Sequence, residues 1–170
     1  MNVATLPTTP IRVEHGDLRP QIDALAHTAA WMRDAPAPVV REKVTHAVEF
    51  LQHHVLPHAA AEEETLYEAV EGATQAPGST RTMQRDHVEI ARMTEALALV
   101  RDELEDTPSE QHRDRITQLL YGVHAILTLH LAKEEEIYLP ILDEHLTPAD
   151  AAVLFDQMRD AEGRHHPTSA

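Results

Sequence analysis

The chain has 170 residues, which is enough for one domain with a buried core. Its 29 acidic and 14 basic residues give a formal net charge of −15 at pH 7, which argues against nucleic acid and anionic membrane surfaces as partners. The chain contains no cysteine, which excludes disulfides, thiolate metal sites and cysteine nucleophiles, but it contains 13 histidines.

Four long helices are predicted between stretches rich in proline and glycine, over residues 11–34, 39–71, 80–105 and 109–145. A short fifth helix follows the capping signal Thr147–Asp150 and ends near Gly163. Residues 1–10 are expected to form a disordered lead, residues 11–162 the folded domain, and residues 163–170 a flexible tail.

The predicted fold is all-α: an antiparallel up-down-up-down four-helix bundle with a short C-terminal fifth helix. No segment has the alternating pattern of a strand, and long helices joined by short loops favour antiparallel neighbours. Pro57 and Pro140 lie inside the second and fourth helices, where we expect them to cause kinks. The N-terminus lacks the features of a signal peptide and no apolar run has membrane-spanning length, so we expect a cytoplasmic protein.

A motif occurs twice, as HAAAEEETLY over residues 58–67 and as HLAKEEEIYL over residues 130–139. Residues four apart on a helix share a face, so the histidine and the first glutamate of each motif project together. In each half of the chain this histidine also follows an earlier one by 43 positions. An offset of 72 residues relates three pairs: His15 and His87, His58 and His130, and Glu62 and Glu134.

When the predicted helices fold back on one another, these six side chains reach one level of the bundle. Four imidazoles and two buried carboxylates would be costly without a counter-charge, which a metal cluster supplies. Imidazole and carboxylate without sulfur suit iron, manganese or zinc. Two metals fit the number of ligands, with two histidines for each metal and the two glutamates as bridges.

The same residues resemble the hemerythrin family of HHE cation-binding domains, through EHGDLR, LPHAAAEEETLY, DHVEIARM and HLAKEEEIYLP. The resemblance covers about residues 11–145 and implies a four-helix bundle that binds O2 at a non-haem diiron centre. Some members of the family sense oxygen or iron, handle peroxide or nitric oxide, or oxidise small molecules. The implied ligands are His15, His58, Glu62, His87, His130 and Glu134.

The chain departs from the oxygen-carrying hemerythrins at the third helix, where these have a fifth histidine in His-x-x-x-His spacing. The residues four away from His87 are Met83 and Ala91, which do not replace it well. His54, four residues before His58, could supply a fifth imidazole or a hydrogen bond to a ligand. Otherwise one metal keeps an extra open position, which favours reaction with peroxide or O2 over reversible binding.

Other residues near the motifs have simpler interpretations. Glu63 and Glu135 are expected to be solvated or to accept an N–H from a ligand imidazole. The eight remaining histidines do not repeat at the offset of 72 and are expected to be ordinary. Tyr67 is assigned to the core, because no spacing supports its coordination of a metal. Ferritin-like diiron bundles are excluded, because their signature is Glu-x-x-His rather than His-x-x-x-Glu.

The leading hypothesis is a hemerythrin-like protein that binds O2 or peroxide at two bridged non-haem irons, with manganese or zinc less favoured. The alternative is a diiron enzyme that decomposes peroxide as a catalase does, or that oxidises a small molecule. A third hypothesis is the sensing or storage of iron or oxygen. The sequence identifies no protein partner.

Overall fold

The computed structural model describes residues 6–166, and every regular element within that range is helical. The α-helices are α1 (Thr9–Trp31), α2 (Ala37–Phe50), α3 (Leu56–Glu64), α4 (Leu66–Thr74), α5 (Arg81–Glu103), α6 (Glu110–Lys133), α7 (Leu139–His145) and α8 (Pro148–His165). Two π-helical turns join consecutive helices, π1 (Leu51–Val55) between α2 and α3 and π2 (Glu134–Tyr138) between α6 and α7. The prediction of an all-α fold is confirmed for these residues.

The first helix begins two residues before its predicted start, at Thr9. Thr8 is buried, and its backbone N–H and its hydroxyl both donate to Asp143 Oδ1 at 2.9 Å. These bonds fix the beginning of α1 against α7, within the segment that was predicted to be disordered. Residues 1–5 of that segment lie outside the described residues. At the other end α8 continues to His165, and residues 167–170 lie outside the described residues.

Pro57 and Pro140 each follow a π-helical turn. Proline has no N–H, and in an α-helix its ring clashes with the carbonyl four residues earlier. That carbonyl belongs to His53 for Pro57 and to Glu136 for Pro140, and both residues lie inside a π turn. The wider π turn relieves this clash. A kink was predicted at each of these two prolines, and the structure has a widened helical turn just before each of them.

The buried apolar residues form two clusters. The first joins α1, α2, α5 and α6, and the second joins α3, α4, α7 and α8. On α5, Met83 belongs to the second cluster and Ile90 to the first, and the buried His87 lies between them. The polar residues of the repeated motif therefore lie in a layer between two apolar cores.

The helix contacts position this layer. α6 packs against both α1 and α5, α2 packs against α5, and α8 packs along α3. Within residues 6–166, no helix combines the length and the apolar character needed to cross a membrane.

Candidate metal centre

The structure brings all six side chains predicted as metal ligands into one buried cluster. They come from α1, α3, α5, α6 and the first residue of π2. None is more than 8% exposed. The six residues are His15, His58, Glu62, His87, His130 and Glu134.

One side of the cluster, called here the first position, lies between the imidazoles of His15 and His58. Glu62 Oε1 lies 3.1 Å from His58 Nε2 and 3.8 Å from His15 Nε2. Glu134 Oε2 lies 3.4 Å from His15 Nε2. Two imidazole nitrogens and two carboxylate oxygens therefore face the first position.

The other side, called here the second position, lies between His87 and His130, whose Nε2 atoms are 3.0 Å apart. Glu62 Oε2 lies 3.3 Å from His87 Nε2, and Glu134 Oε1 lies 3.4 Å from His130 Nε2. Each glutamate thus turns one oxygen to each position, which is the arrangement a bridging carboxylate requires.

The cluster could hold a metal cation. Four of its buried atoms have no hydrogen-bond partner among the described residues, and all four face the first position: His15 Nε2, His58 Nε2, Glu62 Oε1 and Glu134 Oε2. An unpaired buried polar atom costs about 1–3 kcal/mol, and a bound cation would satisfy all four together. Imidazole and carboxylate donors suit iron, manganese or zinc.

Tyr67 belongs to the second position, although the sequence placed it only in the core. Its hydroxyl donates to Glu134 Oε1 at 2.9 Å and lies 3.2 Å from His87 Nε2 and 3.5 Å from His130 Nε2. The ring is buried and stacks on the imidazole of His87, with 5.5 Å between their centroids. The second position therefore has five donor atoms from the protein within reach.

Each of the four imidazoles has a carboxylate beside its Nδ1 atom. An ionised carboxylate can only accept, so in each neutral imidazole Nδ1 carries the hydrogen and the lone pair of Nε2 faces the cluster. This is the tautomer that binds a metal through Nε2. The pairs are His15 with Glu135 (3.2 Å), His58 with Glu162 (2.8 Å), His87 with Glu63 (2.8 Å) and His130 with Asp86 (3.2 Å).

The two bridging glutamates differ in their acidity when no cation is bound. Burial, and then the charge of Glu62, raise the pKa of Glu134 to about 7. Burial would also raise the pKa of Glu62, but the histidines around it outweigh burial and hold its pKa well below the usual range. Burial opposes the charging of His58 and His130, yet the nearby carboxylates raise the pKa of both. The metal-free cluster therefore retains protons at neutral pH.

His54 does not join the cluster. Its ring stacks on Phe50, with 6.1 Å between the centroids, and lines an open groove of about 410 Å³ on the outer side of His58. Within residues 6–166 it belongs to none of the groups of histidines and carboxylates that could hold a metal. The ring of His54 is turned toward Phe50 and the groove, so the structure does not support it as a fifth imidazole.

A small cavity of about 20 Å³ adjoins the cluster on its inner side. Glu62, His87 and His130 line one part of this cavity. Leu18 and His58 line both this cavity and the open groove, so their side chains form the wall between the two. The remaining walls are mainly apolar and come from Ile22, Val55, Ala59, Ile90, Leu127 and Leu131.

The comparisons with known proteins identify the family. The model of the hemerythrin HHE cation-binding domain matches residues 6–142, which include all six clustered residues and Tyr67. No curated protein and no solved structure gives a significant match. The family match covers most of the chain, and the cluster of histidines and glutamates is compatible with metal binding. The chain belongs to the family of hemerythrin HHE cation-binding domains.

Proposed function

We propose that the chain is a non-haem diiron protein that binds O2 or peroxide at this cluster. The observation that carries the proposal is the set of inward-facing imidazole and carboxylate atoms that have no hydrogen-bond partner. His15 and His58 would hold one iron, and His87 and His130 the other, with Glu62 and Glu134 as bridges. Bound iron would supply Lewis acidity and one-electron redox chemistry.

The protein residues around the cluster would control what reaches it. A single water needs roughly 10–15 Å³, so a cavity of about 20 Å³ suits a ligand of two or three atoms. This size supports O2 or peroxide as the ligand and argues against an organic substrate in the cavity. The apolar side chains of Ile90 and Leu127 would exclude bulk water from this part of the centre.

Tyr67 is proposed as the fifth donor at the second position, in place of the absent fifth histidine. Its hydroxyl is within 3.5 Å of both imidazole nitrogens there. Burial and the charges of Glu62 and Glu134 raise the pKa of the phenol, but a cation at this position would lower it.

Decomposition of peroxide is the second candidate function, and the small number of protein ligands at the first position favours it. Two molecules of H2O2 yield one O2 and two water molecules, so protons must move between oxygen atoms. Among the described residues, only two imidazole nitrogens and two carboxylate oxygens face the first position, so an iron there would keep room for peroxide. Steady evolution of O2 from added H2O2, with the metal retained, would distinguish this enzyme from a binding protein.

We also infer that the helices follow the up-down-up-down order. His15 lies in the second turn of α1, whereas His58 lies late in the second helical span, and their ring centroids are 5.6 Å apart. His87 lies early in α5 and His130 late in α6, with 4.6 Å between their rings. Contact between the start of one helix and the end of the next supports antiparallel neighbours.

The test is the metal content of protein purified in air, with the near-ultraviolet and visible spectrum of the same sample. We expect about two irons per chain and absorption bands that shift when azide or peroxide is added. His58→Ala and His130→Ala should each lose most of the metal, because a buried donor is removed. His27→Ala is the matched control, since His27 is on α1 outside the cluster. Full retention of iron in both cluster variants, or a single bound zinc in the wild type, would overturn the proposal.

A further inference from the structure

The last helix lies outside the region that matches the family, and one of its residues, Glu162, contacts the cluster through His58. The family match ends at residue 142, whereas α8 covers Pro148–His165. Met158 and Ala161 of α8 are buried in the second apolar cluster, and Arg164 forms an ion pair with Glu64 of α3. These contacts hold α8 along the helix that carries His58 and Glu62.

The internal repeat predicts a different partner for His58 from the one it has. At the second position, Asp86 accepts from His130 Nδ1 at 3.2 Å. The residue that corresponds to Asp86 at the offset of 72 is Glu14, which should therefore accept from His58. Glu14 Oε2 is 3.9 Å from His58 Nδ1, beyond hydrogen-bonding distance, whereas Glu162 Oε1 is at 2.8 Å.

One carboxylate oxygen of Glu14 is left without a partner by this arrangement. Its Oε2 atom is buried and has no hydrogen-bond partner among the described residues. Glu14, His58 and Glu162 together form a third group whose donor atoms lie within 4.8 Å of one another. Two carboxylates thus stand beside one imidazole, and the carboxylate from α8 has the shorter distance.

We propose that Glu162 is a positioning residue of the metal centre, which makes α8 part of the first position, and that Glu14 is the reserve acceptor for His58. The inference rests on the proposed function only in taking His58 as a metal ligand. Its motivating observation is the 2.8 Å contact between Glu162 and His58 Nδ1, which replaces the partner given by the repeat.

Glu162 acts through the imidazole. By accepting the Nδ1 hydrogen it fixes the tautomer and the rotation of the ring, so that Nε2 points toward Glu62 Oε1 at 3.1 Å. The corresponding acceptors of the other three imidazoles, Glu63, Asp86 and Glu135, belong to α3, α5 and π2. The first position therefore depends on the docking of α8, and the second position does not.

The test uses zinc, which is redox-inert and keeps the result independent of oxygen chemistry. Protein loaded with zinc is mixed with excess chelator, and the release of each metal is followed in time. In Glu162→Ala we expect one of the two zinc ions to leave roughly 10-fold faster than in the wild type, with the other unchanged. Glu14→Gln alone should release zinc at the wild-type rate. The double variant Glu14→Gln/Glu162→Ala should release zinc faster than Glu162→Ala, because it also lacks the reserve acceptor.

Two further variants separate positioning from simple loosening of α8. Glu64→Gln removes the exposed ion pair of α8 without touching His58, and its zinc should leave at the wild-type rate, because the buried Met158 and Ala161 keep α8 docked. Glu162→Gln keeps an acceptor oxygen and should restore part of the slow release. In ¹⁵N-labelled zinc protein, the signal of the His58 Nδ1 hydrogen should exchange faster with water in Glu162→Ala than in Glu64→Gln.

The outcomes distinguish the two proposals. Equal release of both zinc ions from Glu162→Ala at the wild-type rate would overturn the role of Glu162 and leave the metal centre intact. Acceleration of both ions alike, with the same effect in Glu64→Gln, would show that α8 only stabilises the fold. Failure of the wild-type protein to bind two metals would overturn the proposed function itself.

Discussion

The position of Tyr67 is decided by a break in the helix that carries it. Tyr67 follows Glu62 by five residues, which on a straight α-helix turns the two side chains about 140° apart. Thr65 leaves the helical conformation, with φ −133° and ψ −64°, and its N–H donates to the carbonyl of Glu62. The chain that follows is reoriented, so the phenol reaches the second position.

Replacing this hydroxyl tests whether Tyr67 coordinates iron. In Tyr67→Phe we expect two irons to remain, because the six other ligands are unchanged, and the visible absorption of an iron-bound phenolate to disappear. Tyr138→Phe is the matched control, since the Tyr138 hydroxyl donates to the carbonyl of Ser79 instead. A visible spectrum that is the same in Tyr67→Phe as in the wild type would contradict coordination by this residue.

The six clustered residues could be predicted from the sequence for a physical reason. His and Glu four apart share a face of any regular helix, and α3 and the junction of α6 with π2 keep that phase. Tyr67 could not be predicted, because the break at Thr65 has no clear sequence signal. Glu162 could not be predicted either, because α8 has no counterpart in the repeat and its docking is a tertiary effect.

Among the elements, α8 has the most explicit start signal. Thr147 Oγ1 accepts from the N–H of Asp150 at 3.2 Å, and Asp150 Oδ2 accepts from the N–H of Thr147 at 3.3 Å. This capping box satisfies two N–H groups that the helix itself leaves unpaired. The predicted start of the fifth helix is confirmed. Because α8 carries Glu162, we expect this capping motif also to affect the stability of the first metal position.

Loss of this cap should loosen α8 selectively. We expect Thr147→Ala to lower the free energy of unfolding by about 1 kcal/mol, which lowers Tm by roughly 2–4 °C. Amide hydrogen exchange should become faster in α8 and stay unchanged in α6. Ser109→Ala removes the single capping bond of α6 and should give the reverse pattern. Unchanged exchange in α8 after Thr147→Ala would contradict a stabilising role of the cap.

At the scale of the whole molecule, the metal-free protein should lose stability as the pH rises from about 5 to 8. The pKa of Glu134 is raised from 4.5 to about 7, so its protonated form is favoured in the folded state and that stability is lost through pH 7. The raised pKa values of His58 and His130 act in the same direction above 6.5. The lowered pKa of Glu62 contributes stability that is lost only as the pH falls below 4.5.

Metal should reverse this trend, because binding requires every ligand to be deprotonated. We expect Tm to fall with rising pH for the metal-free protein and to rise over the same range for the loaded protein. The measurement is thermal unfolding at several pH values, with and without chelator. Parallel curves for the two forms would show that the titrating groups are not those that bind the metal.

The turn π1 also explains how both halves come to the same interval of 43 residues between their histidines. From the first histidine to the end of its helix there are 16 residues in each half, but the following connection has five residues at 32–36 and six at 104–109. The second span makes up the difference with one extra residue, which π1 accommodates and which α6 lacks. The equal interval between the histidines of the two halves is therefore the product of two compensating length changes, a shorter connection and a longer second helical span. Because the wide turn absorbs the extra residue, deleting one residue of π1 should restore a regular helix like α6 and leave His58 facing the centre.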